Sequence, residues 1–63
     1  MTGAELADIR RSLGLSTNQM GRALGYHGPN MHVTVRRYER GERPVPPTIA
    51  RLVEMFKMHG VPK

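Results

Sequence analysis

Four arginines lie within eight residues near the middle of the chain: Arg36, Arg37, Arg40 and Arg43. The planar guanidinium group of arginine can donate two parallel hydrogen bonds to a phosphate group or to the edge of guanine. The stretch that contains them starts at Pro29, which suits the first turn of a helix, and reaches Gly41, which suits a helix end. This arrangement predicts a basic helix that lies against nucleic acid.

The overall charge favours the same kind of partner. The 63 residues include ten lysines and arginines against five acidic residues, which gives a net charge of +5 and a pI near 10.8. Eight of the ten cations are arginines. We therefore expect a polyanionic partner, and the length predicts one small domain over residues 1–63 with a single core.

The sequence argues against catalysis, metal binding and membrane insertion. Without cysteine, the chain can form neither disulfides nor thiolate sites. His27, His32 and His59 have no acidic partners at ligand spacing, so we expect no metal and no cofactor. No nucleophile is paired with a base, so we do not expect an enzyme. No small-molecule effector is evident either. The apolar runs are too short to span a membrane, which favours a cytoplasmic, nucleoid-associated protein without a membrane partner.

Capping signals and hydrophobic spacing predict four helices. The sequences from Thr2 to Glu5 and from Ser16 to Gln19 have the form of capping boxes, which mark the starts of the first two helices. The last helix is predicted by Ile49, Leu52 and Phe56, which recur at helical spacing. The predicted fold class is all-α, a compact bundle of four or five short helices. The four predicted helices cover about residues 3–13, 16–24, 29 or 30 to 40, and 46 or 47 to 59.

The second and third predicted helices, joined at a turn that contains glycine, form the pattern of a helix-turn-helix whose second member is basic. The fragments that become specific in combination are Leu13 to Ser16, Gln19 to Gly21, Ala23 to Gly25, Arg37 to Gly41, and Arg43 with Pro44. Together they resemble the signature of the Cro/repressor-type, Xre-like family over about residues 4–57. The resemblance implies a lambda-repressor-like fold that binds double-stranded operator DNA sequence-specifically through the third helix. It also implies that the protein regulates transcription, and repression is the mode of regulation that we expect first.

The resemblance also assigns roles to individual residues. It implies an ion pair between Arg10 and Glu39 that connects the first helix to the third. The positions that correspond to base contacts are His32, Val33, Arg36 and Arg37. The positions that correspond to phosphate contacts are Ser16, Thr17, Gln19, Arg40, Gly41 and Arg43.

Some features leave alternatives open. The interval from Gly25 to Glu39 is about four residues longer than is usual in the family. Either the turn over residues 26–29 is enlarged, or the third helix gains a turn at its start. The sequence also leaves open whether the protein forms a homodimer. Met55 and Met58 are the candidate apolar patch for contact with a second copy. Two other functions compete with repression: an antitoxin-like protein-interaction module and a non-specific nucleic-acid binder that works through charge alone.

Overall fold

The computed structural model describes residues 1–61; the last two residues of the predicted domain lie outside this description. Within it the chain forms helices α1 (Gly3–Ser12), α2 (Thr17–Ala23), α3 (Met31–Glu39) and α4 (Pro47–His59). Residues 1–61 contain no strand, so the predicted all-α fold class is confirmed. None of these four helices combines the length and the apolar character that crossing a membrane requires.

The first two helices begin at the predicted capping boxes. The Thr2 hydroxyl accepts a hydrogen bond from the Glu5 N–H, and the Glu5 carboxylate accepts one from the Thr2 N–H at 2.9 Å. This backbone hydrogen bond lowers the pKa of Glu5 below its ordinary value. Ser16 and Gln19 make the same reciprocal bonds at the start of α2. Both predicted helix starts are confirmed. They could be predicted because each capping box is contained within four residues.

The start of α3 differs from the prediction. The helix begins at Met31 rather than at residue 29 or 30, and Asn30 precedes it with non-helical dihedrals (φ −108°, ψ 15°). Gly28 lies at a positive φ of 93°, which interrupts the helical path before Pro29. The additional residues therefore enlarge the turn between α2 and α3, and they do not lengthen α3.

Each helix contributes one completely buried side chain to the core. These are Leu6 from α1, Met20 from α2, Val35 from α3 and Val53 from α4. Tyr38 is also buried, as predicted from its place on the same face of α3 as Val35. Because α3 turns this face inward, its arginines point to solvent.

Two glycines allow α3 to pack closely against its neighbours. A Cβ atom on Gly21 of α2 would lie 3.1 Å from the Met31 carbonyl oxygen at the start of α3. A Cβ on Gly3 of α1 would overlap the Tyr38 carbonyl oxygen and lie 2.7 Å from that of Glu39. The first turn of α1 therefore lies directly on the last turn of α3, a contact that the sequence pattern did not reveal.

Candidate nucleic-acid interface

The outer surface of α3 forms a basic groove with a volume of about 280 Å³. We call this the arginine groove, and its lining residues are Val33, Arg36, Arg37, Arg40 and Glu42. Val33 precedes Arg36 and Arg37 by three and four residues, and Arg40 follows them by four and three, which places these side chains on one side of the helix. The structure thus brings together three of the four predicted base-contact residues and one predicted phosphate contact. His32, the remaining base-contact residue, is half-buried and does not line the groove.

Most of the positive charge in this region is not neutralised by the protein itself. Arg36, Arg37 and Arg43 are exposed, and none of them forms an ion pair within residues 1–61. Arg40 is paired only loosely with Glu42, at 3.8 Å between Nη1 and Oε2. Exposed guanidinium groups without internal partners are free to bind an external anion.

The chain at the end of α3 turns back onto the helix. Gly41 has a φ of 76°, its N–H donates to the Tyr38 carbonyl at 3.1 Å, and the Glu42 N–H donates to the Arg37 carbonyl at 3.0 Å. These two bonds form a Schellman motif. Since the Gly41 amide already has an acceptor, this geometry does not support its predicted contact with phosphate. The motif also explains why Glu42, which sequence reasoning missed, lines the arginine groove.

The three remaining predicted phosphate contacts lie at the start of α2, outside the arginine groove. Ser16 and Gln19 are exposed and Thr17 is half-buried. In the capping box, Ser16 Oγ and Gln19 Oε1 act as acceptors, at 3.0 and 2.8 Å. The hydroxyl hydrogen of Ser16 and the amide hydrogens of Gln19 therefore remain available as donors. Gln19 also borders a second groove of about 320 Å³, together with Arg22, Ala23 and Val61.

Arg10 and Glu39 join α1 to the end of α3. Arg10 Nε donates to Glu39 Oε2 at 2.7 Å, and Nη2 donates to Oε1 at 3.3 Å. The third donor, Arg10 Nη1, binds the Leu15 carbonyl at 2.9 Å. The guanidinium group therefore links α1, the turn before α2 and the last residue of α3.

The enlarged turn is anchored to α3 by two tyrosines. The hydroxyl groups of Tyr26 and Tyr38 lie 2.8 Å apart in a hydrogen bond. Desolvation is the larger cause and the hydrogen bond with Tyr38 the second; together they raise the pKa of Tyr26 to about 12. The Tyr26 N–H donates to the Gly21 carbonyl at 3.0 Å, which fixes the beginning of the turn to α2. Sequence reasoning missed this anchor, because nothing in the local pattern pairs residues twelve positions apart.

The described residues do not bring acidic and histidine side chains together into a metal site. Among the described residues there is no group of three or more that could hold a metal ion. His27, in the enlarged turn, and His59, at the end of α4, are both exposed.

The sequence model of the family described as "Helix-turn-helix domain" matches residues 2–62, which is nearly the whole chain. No curated protein and no solved structure matched. The family match confirms the resemblance to Cro/repressor-type, Xre-like proteins that the sequence predicted, and it supports a DNA partner; such domains are typically not enzymes.

Proposed function

Because the chain belongs to the helix-turn-helix domain family, we propose that it binds double-stranded DNA sequence-specifically through α3 and represses transcription from the operator that it occupies. The observation that carries the proposal is the arginine groove. It combines the guanidinium groups of Arg36 and Arg37, which form no ion pair within residues 1–61, with the apolar Val33 on the outer face of the third helix. In the cell such a repressor would work in the cytoplasm, on the nucleoid.

The residues of α3 divide into two roles. Arg36 and Arg37, beside Val33, are suited to base edges: a guanidinium group can bind guanine through two hydrogen bonds, and the valine methyls can contact the methyl group of thymine. His32 lies one residue earlier, in the first turn of the helix, and is the fourth base-contact residue that we propose.

Phosphate contacts surround these base contacts. Arg40 and Arg43 follow the last base-contact residue and are exposed. Ser16, Thr17 and Gln19 supply donors from the start of α2. Contacts of this kind set the orientation of the domain on the duplex and carry no sequence information themselves.

A homodimer would allow two copies of α3 to bind two half-sites. Met55 and Met58 are the large hydrophobic side chains that α4 exposes. We propose that this pair forms part of the contact between two copies. The half-sites would then lie about one helical turn, or about 34–36 Å, apart along the DNA.

Selection from a pool of random duplexes tests the proposed function directly. The selected duplex and a scrambled version are then titrated at several salt concentrations. We expect the selected duplex to bind at least about 1,000-fold more tightly at physiological salt, as is typical of specific complexes. Equal binding of both duplexes, with a steep dependence on salt, would show a non-specific binder and overturn the proposal.

Two substitutions separate the two roles. Arg37→Ala should relax the preference at one base position, by about 1–3 kcal/mol. Arg43→Ala should weaken the selected and scrambled duplexes by the same factor and reduce the salt slope by about one. If both variants behave identically, the division between base and phosphate contacts is wrong.

A further inference from the structure

Glu42 places a carboxylate in the arginine groove, beside the arginines to which the proposed function assigns DNA contacts. Its Oε2 lies 3.8 Å from Arg40 Nη1, and the two side chains are 54% and 70% exposed, respectively. The other lining residues are three arginines and one valine. A negative charge in this position is unexpected for a surface that binds a polyanion.

The backbone keeps Glu42 at the groove. Its N–H donates to the Arg37 carbonyl at 3.0 Å, and the turn at Gly41 directs the chain back along α3. The side chain can rotate, but the Cα position is set by the Schellman motif. The Cα of Glu42 therefore stays beside the arginine groove whichever rotamer the side chain adopts, and its charge contributes to the electrostatic field of the groove.

A phosphate group that approaches Arg40 meets this carboxylate. A phosphate group that contacts Arg40 through Nη1 takes the side of the guanidinium group that Glu42 occupies, so the ion pair is lost when this contact forms. Since the pair is exposed and long, it exchanges partners at little cost. The outcome is weaker binding, and the weakening does not depend on the base sequence.

We propose that Glu42 competes with DNA phosphate for Arg40, so that the domain replaces an internal ion pair with an external one each time it binds. Glu42 thereby lowers the affinity for every duplex and prevents the basic groove from holding non-specific DNA tightly. This inference rests on DNA binding by α3, as in the proposed function, but not on sequence specificity.

Glu42→Gln tests the competition, with Glu54→Gln as the matched control. Glu54 is an exposed glutamate on α4 outside the arginine groove. Each of the two substitutions removes one negative charge, so the net charge of the two variants is the same. At low salt, Glu42→Gln should bind the selected and scrambled duplexes about two- to fivefold more tightly, the range expected of an exposed ion pair. Glu54→Gln should change affinity by less than about half of that factor, and the gain from Glu42→Gln should shrink as salt increases.

The same substitution in an Arg40→Ala background completes the test. With Arg40 absent there is nothing to compete for, so the gain from Glu42→Gln should fall to that of the control. An undiminished gain in this background would show a general charge effect and overturn the proposal. Weaker binding by Glu42→Gln, or a changed base preference, would also overturn it, since either shows that Glu42 makes a favourable DNA contact.

The readouts distinguish this inference from the proposed function. If the wild-type protein binds selected and scrambled duplexes equally, but the gain from Glu42→Gln still depends on Arg40, sequence-specific repression is wrong and the competition stands. If neither the wild-type protein nor Glu42→Gln binds any duplex, both are overturned. Circular dichroism of each variant verifies that the exposed substitutions leave the helices intact.

Discussion

Replacing Glu39 with glutamine should destabilise the domain far more than removing any exposed ion pair. The substitution leaves Arg10 without its counter-charge, although the side chains of Arg10 and Glu39 are only 17% and 13% exposed. Arg10 would keep its bond to the Leu15 carbonyl, and the glutamine amide oxygen could replace one of the two carboxylate contacts. The guanidinium charge itself would remain largely desolvated and unpaired.

The expected cost follows from this partial burial. Breaking a fully buried ion pair by removing one partner costs about 3–5 kcal/mol. Because water still reaches both groups and one neutral acceptor remains, we expect about 2–3 kcal/mol for Glu39→Gln. For a domain of this size that corresponds to a decrease in Tm of about 10–20 °C. It is also a large share of a total stability of about 3–9 kcal/mol.

Urea unfolding followed by circular dichroism measures this cost, and an exposed ion pair on α1, the helix of Arg10, supplies a control. Arg11 pairs with Asp8 at 3.6 Å, but these side chains are 66% and 76% exposed. Arg11→Gln should therefore change the free energy of unfolding by less than about 0.5 kcal/mol. The double variant Arg10→Met with Glu39→Leu should recover most of the stability lost in Glu39→Gln, because two apolar groups leave no unpaired charge.

Two results would refute this reasoning. If Glu39→Gln costs no more than Arg11→Gln, the burial of the pair does not make it energetically distinct from a surface pair. If the Arg10→Met with Glu39→Leu variant is as unstable as Glu39→Gln, the loss does not come from an unpaired charge, but from the shape of the site or from the lost hydrogen bond to the Leu15 carbonyl.

Three further predictions concern the elements that position α3. Gly3→Ala should cost about 1–3 kcal/mol in unfolding experiments, because its Cβ would overlap the last turn of α3, whereas the exposed Ala4→Gly should cost no more than about 1 kcal/mol. The pKa of Tyr26 is raised from 10.0 to about 12, so the contribution of this tyrosine to stability should be complete below pH 10 and disappear as the pH rises through 12. Tyrosinate absorbance follows the titration over this range, and unfolding of Tyr26→Phe beside the wild type measures the contribution to stability. Ser16→Ala should cost about 1 kcal/mol of stability through loss of the helix cap, and a stability equal to wild type would contradict the capping role.

Local signals explain most of what the sequence predicted correctly. The capping boxes at Thr2 and Ser16 involve partners three residues away, so the residue types and spacing were sufficient. The inward face of α3 followed from helical periodicity, because Val35 and Tyr38 recur at a spacing of three. The exposure of the arginines on α3 is the direct consequence of that face.

The missed features depend on contacts between residues distant in the chain or on competing backbone partners. The close approach of Gly3 to the end of α3 and the hydroxyl pair of Tyr26 and Tyr38 have no local pattern. Proline at position 29 fits the first turn of a helix, but the dihedrals on either side of it place the helix start at Met31. The resemblance assigned a phosphate contact to the Gly41 amide, whereas the Schellman motif directs this N–H to the Tyr38 carbonyl.

The anchored turn between α2 and α3 has a consequence for how such domains can diversify. The position of α3 is set by its buried residues and by contacts at its far end, with Gly3 and with Arg10. Residues 27–30 are exposed, and Tyr26 closes the turn before them. Lengthening an exposed loop costs little, about 0.6 kcal/mol for each doubling. Residues can therefore be added to this turn or exchanged within it without moving the helix, so it is a site where a new segment can be grafted.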